Sequence, residues 1–152
     1  MMKKYSKSES GRSMVEMVGV LSVMGMITAG AFALLRSGQA SQKISRADDD
    51  VANIIGNIRT LFAENEDYSN LPSASDLDKG TTLLDAMSLT TTTPFGSSTT
   101  YSVTRNSGDP NGFVVLLRGL SDKDCTVLAN RAWDGAWGAS CQNKVLSILV
   151  GD

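Results

Sequence analysis

The chain has 152 residues, enough for about one domain, and a formal net charge of −2, which disfavours nucleic-acid binding by an acidic body. It contains no histidine and only two cysteines, so a histidine base, a Cys–His nucleophile and a His/Cys metal centre are excluded or poorly supported. No Gly-rich phosphate loop is present either, so the expectation is a protein that is not an enzyme and carries no cofactor or metal.

Residues 1–11 form a charged leader, in which Lys3, Lys4 and Lys7 outweigh Glu9, and Arg12 adds a further positive charge. From Ser13 to Leu35 the chain is apolar apart from one ionisable side chain, Glu16. A run of about 20 apolar residues crosses a bilayer as a helix. Basic residues before the run predict a cytoplasmic N-terminus and an exported C-terminal body. A cleaved secretory signal fits less well, because its apolar stretch is about 7–15 residues long and ends at a small-residue site.

The helical pattern continues past the apolar run. Ile44, Val51, Ile54, Ile55, Ile58, Leu61 and Phe62 fall on one stripe, while Lys43, Arg46, Asp48, Asp49, Asn53 and Arg59 mostly take the other side. With no proline before Pro72, one helix is predicted from about Arg12 to about Asn65. Residues 12–35 are its transmembrane or assembly half and 36–66 its amphipathic half. That half needs a globular partner, which residues 67–152 supply. In this head, 69–100 reads as a loop with one short helix around Leu83, Leu84, Ala86, Met87 and Leu89. Tyr101–Arg105 and Phe113–Leu117 read as strands around the turn cluster Asn106–Gly112. Ser121 reads as the N-cap of a helix that turns Cys125, Leu128 and Ala129 inward. Trp133 and Trp137 bracket a Gly/Ala-rich loop to Cys141, and Val145–Val150 is a last strand. The fold class is α+β: a long helix packed on a small, mostly antiparallel sheet.

Individual residues carry further expectations. Cys125 and Cys141 in an oxidising compartment read as one disulfide, with two separate buried thiols as the alternative. Glu16 within lipid calls for a partner such as a free amine, or else reaches back to the cytoplasmic interface near Arg12. Gly25, Ala29 and Ala33, spaced by four, permit close helix approach, although glycine is common in membrane helices generally. The glycines between Gly25 and Gly30 also weaken the helix locally. Asp48-Asp49-Asp50 reads as a solvated helix face, and Asp109-Pro-Asn-Gly112 as a turn.

The motif Gly11-Arg12-Ser13-Met14-Val15-Glu16-Met17 resembles that of type IV prepilins: a glycine, then glutamate five residues on, then a hydrophobic run. Pro94-Phe95-Gly96 and Gly119-Leu120-Ser121-Asp-Lys-Asp-Cys125-Thr-Val-Leu128 resemble the bodies of the type IVb group. The resemblance implies a pilin fold and cleavage between Gly11 and Arg12 by a prepilin peptidase, with N-methylation of Arg12. It implies an inner-membrane stage and then an extracellular filament, built with an assembly platform and with copies of the same chain. Glu16 would face the terminal amine of a neighbouring copy. Arg12 stands where the family has an apolar residue, and the body is short with a tight cysteine loop. Those departures fit a minor pilin or a type II secretion pseudopilin. A membrane-anchored periplasmic binding module that never assembles is the alternative from another class.

Overall fold

The computed structural model describes residues 12–151; the expected leader, with Gly11 at its expected cleavage site, lies outside the described residues. Helix α1 runs from Arg12 to Leu61. It is followed by α2 (Leu77–Ala86), β1 (Thr100–Arg105), β2 (Gly112–Arg118), α3 (Asp122–Ala129), β3 (Gly138–Gln142) and β4 (Val145–Gly151). The chain divides into two compact units, residues 1–41 and 42–152. The four strands form one antiparallel sheet in the order β1-β2-β4-β3, so the architecture is α+β, as the sequence pattern indicates.

Within the second unit, α1 lays Ala47, Val51, Ile54, Ile55 and Ile58 into the core. Alternation along the strands sends Tyr101, Val103, Phe113, Val115, Leu117, Leu146, Ile148 and Val150 to the same core. Burying one such aliphatic side chain is worth about 1.5–3 kcal/mol, so this face dominates the stability of the head.

The helix stops four residues short of the expected Asn65. Its last full turn closes with Phe62 N–H to Ile58 O at 3.0 Å. The chain then tightens through Ala63 N–H to Thr60 O and Asn65 N–H to Phe62 O, as helix ends do. Leu61, expected on the buried stripe, is 51% exposed. The inward ridge passes from Ile58 to Phe62, four residues on, whose ring meets Tyr68 at a centroid distance of 5.5 Å. Ala47 takes the inward place that the sequence pattern did not assign.

The expected short helix is α2, and it packs on β1 through a glycine. A Cβ at Gly80 would collide with the Val103 carbonyl oxygen and the Ser102 hydroxyl. Around that contact Ser102 Oγ–H donates to Leu77 O at 2.6 Å and Thr81 Oγ1–H to Tyr101 O at 2.9 Å. The segment 138–142, expected as part of a loop, is instead the strand β3. Its turn to β4 is two residues, Asn143 and Lys144, with φ of 51° and 63°, the conformation that matches strand twist in tight hairpins.

Gly80→Ala is expected to destabilise the head by about 1–3 kcal/mol, because the obstruction is main chain and cannot rotate away. Urea denaturation of the variant beside the parent checks this; an unchanged midpoint would show that α2 can lift off β1 freely.

Candidate functional site

The candidate site is the apolar part of α1. Every residue from Met14 to Arg36 is exposed, including Met14 at 76%, Leu21 at 67% and Phe32 at 66%. One helix near the N-terminus is therefore long and apolar enough to cross a membrane. Its surface is apolar on all sides, which in water requires a cover. The polar groups within it are handled internally. Ser22 Oγ–H donates to Val18 O at 2.7 Å and Thr28 Oγ1–H to Met24 O at 2.6 Å. Each hydroxyl is thus satisfied without water, as an apolar surrounding demands.

Glu16 has no comparable arrangement. It sits one helical turn after Arg12 with an exposed side chain, and among the described residues no ion pair includes it. Arg12 begins α1, while Gly11 lies outside the described residues. Cβ atoms built at Gly19, Gly25 and Gly30 would meet nothing within 4 Å, and the helix is continuous through Gly25–Gly30.

The head carries the other predicted residues. Cys125 on α3 and Cys141 on β3 are joined as a disulfide with Cα atoms 5.8 Å apart and a sequence separation of 16. Closing such a loop contributes about 3 kcal/mol in the chain-entropy account. Cys141 is on a strand rather than in the expected loop, so the bond pins the edge of the sheet to α3. Ser121 caps α3 as expected, accepting from Asp124 N–H at 3.1 Å. Leu128 is buried and Ala129 half-buried; Trp133 Nε1–H donates to Leu128 O at 3.1 Å. The Asp109 turn also forms, with Asn111 N–H on Asp109 Oδ1 at 3.0 Å.

Two of the three aspartates depart from the expected solvated face. Asp48 accepts from Arg131 Nη2 at 2.7 Å, which ties α1 to the end of α3. Asp50 accepts from the Tyr101 hydroxyl at 3.1 Å, which ties α1 to β1. Only Asp49 is exposed. Neither pairing is legible in the sequence, since Arg131 and Tyr101 lie too far from α1 along the chain to leave a local pattern. Burial raises the Asp50 pKa, partly offset by the Tyr101 hydrogen bond. Burial first, then the Asp50 charge, pushes the Tyr101 hydroxyl far above the ordinary tyrosine range.

No model of a known protein family matches the chain, and no curated protein matches it.

Two predictions follow from this geometry. Replacing both cysteines by serine should lower head stability by about 2–4 kcal/mol, measured by chemical denaturation against the parent with and without reductant. Equal midpoints would mean that the β3 edge is held without the bond. For Tyr101, a folded pKa above the unfolded one means that the native state holds the proton longer. Its contribution is full below the ordinary tyrosine pKa of about 10 and declines as pH rises above it. Tyr101→Phe should therefore cost about 1 kcal/mol at neutral pH and flatten the alkaline loss of stability. An identical alkaline slope in parent and variant would contradict this.

Proposed function

We propose that the chain is a prepilin of the type IVb kind, the precursor of a structural filament subunit. The observation that carries the reading is an apolar helix, uncovered on all sides, in which Ser22 and Thr28 are satisfied internally while the single acid, Glu16, has no ion pair among the described residues. A carboxylate in an apolar surrounding costs several kcal/mol unless it is paired. A terminal amine freed between Gly11 and Arg12 is a partner of the right charge, supplied by an adjacent copy. Function on this reading is assembly, with no catalytic residue. A prepilin peptidase removes residues 1–11, and the product waits in the inner membrane with its head in the periplasm. An assembly platform then passes it into a filament outside the cell. The head's disulfide suits that oxidising passage.

Mass spectrometry of the cellular protein tests processing. The expected product begins at Arg12, carries an N-methyl group and accumulates uncut when Gly11 is replaced by a bulky residue. Residues 1–11 still attached in cells that contain the peptidase would overturn the reading in favour of a bitopic anchored module. Glu16→Gln should leave cleavage intact and reduce filaments at least about tenfold, as expected for losing a charge-paired contact of about 1.4 kcal/mol or more. Long fibres in sheared surface material would identify a surface pilus, and processed chain confined to the membrane a short secretion-type filament.

A further inference from the structure

The sheet has two margins, and among the described residues main-chain hydrogen bonds from outside the sheet cover only the β1 margin. Along β1, Tyr101 N–H donates to Thr91 O at 2.8 Å, Thr93 N–H to Thr99 O at 3.1 Å, and Arg105 N–H to Pro72 O at 2.9 Å. At the other margin, β3 pairs with β4 on one side only. The two-residue turn makes Gln142 and Val145 a hydrogen-bonded pair. Alternation from there aims the main-chain groups of Ser140 at β4 and those of Ala139 and Cys141 away from the sheet. Among the described residues no hydrogen bond outside the ladder uses those outward groups.

From this margin we infer that β3 is a docking edge for a second copy of the same chain, paired antiparallel about a two-fold axis through Ser140. In that register Ala139 of each copy exchanges both main-chain hydrogen bonds with Cys141 of the other, so the unpaired set is its own complement. The side chains permit the approach. Gly138, Ala139 and Ser140 are small and uncharged, and a Cβ on Gly138 would meet nothing within 4 Å. The charges and proline that usually guard an edge are missing from Gly138–Gln142. The disulfide at Cys141 fixes the strand before it meets a partner, which lowers the ordering cost.

Trp137, just before the strand, is 61% exposed, and its ring is held against Gly151 of β4, where any Cβ would collide with it, so it leaves the outer margin of β3 open. Only head residues take part; because the two-fold stands perpendicular to the sheet, it reverses the packed part of α1 between the copies, so this pairing is separate from the parallel helix packing of a filament.

Amide hydrogen exchange on the full chain in detergent micelles tests the pairing. The amides of Ala139 and Cys141 should slow as protein concentration rises, while the exposed amide of Asn143 should not. Ser140→Lys and Ser140→Asp each set like charges face to face and should each abolish that slowing; an equimolar mixture of the two should restore it. Ser140→Cys should cross-link to its copy on mild oxidation at least about tenfold faster than Thr126→Cys on α3, because opposed residues of this pair type have Cα atoms about 4.5 Å apart. Exchange independent of concentration, or no rescue by the mixture with the Cys125–Cys141 bond intact by peptide mapping, would overturn the pairing. Either result would leave the processing reading untouched.

Discussion

The contact between the inward ridge of α1 and the sheet is what the rest of the head depends on. Val51, Ile54, Ile55 and Ile58 are each less than 5% exposed, and they meet strands whose inward residues are equally covered. Neither partner can stand alone in water: the ridge is a bare apolar stripe, and a four-stranded sheet of this composition has an apolar face of its own. The polar contacts act on that base. Asp48 with Arg131 and Asp50 with Tyr101 are too few and too partly solvated to drive packing. They are well placed to set which way the helix is rotated, since each joins a different neighbour to the same turn of α1.

The disulfide and the cap perform a second, separable task. Core burial falls away toward β3, whose residues are exposed or half-buried along its whole length. A strand with so little apolar cover is kept in register by its tight turn at one end and by the bond from its Cys141 to Cys125 on α3. The helix it is fastened to is short, and its first turn is secured by Ser121, which both accepts from Asp124 N–H and donates to the Asp124 carboxylate at 2.6 Å. Fastening the edge to a capped helix yields rigidity where the core cannot supply it.

What could be read in the sequence follows from which forces leave periodic traces. The long helix, β1, β2, β4 and the Ser121 cap all arise from apolar spacing or from local backbone bonding, and both are written in consecutive residues. β3 is not legible because Gly-Ala-Ser-Cys-Gln lacks β-branched residues; its one signal is Asn143-Lys144, a two-residue gap before an evident strand. The apolar period runs on through Phe62 with no proline before Pro72, which points to an end near Asn65, whereas the chain tightens into i→i+3 bonds after Leu61. Asp48 and Asp50 looked solvated because their partners, Arg131 and Tyr101, lie far along the chain. In the candidate site Glu16 stood out as a lone charge in an apolar run, whereas the internal bonds of Ser22 and Thr28 required the helix itself.

Those internal bonds bear on how such a helix could choose a partner. Lipid is about as apolar as a leucine side chain, so exchanging lipid for another helix brings little hydrophobic gain. Discrimination then falls to close packing and to polar groups left over. Ser22 and Thr28 are spent within their own turns, and apart from Glu16 the exposed side chains from Met14 to Leu35 are otherwise aliphatic, thioether or, at Phe32, aromatic. Glu16 is the remaining group whose energy depends strongly on what lies beside it. On the proposed reading, then, a single carboxylate near the helix start would set both the register and much of the selectivity of helix association. The small residues Gly25, Ala29 and Ala33 would govern only how closely the helices approach.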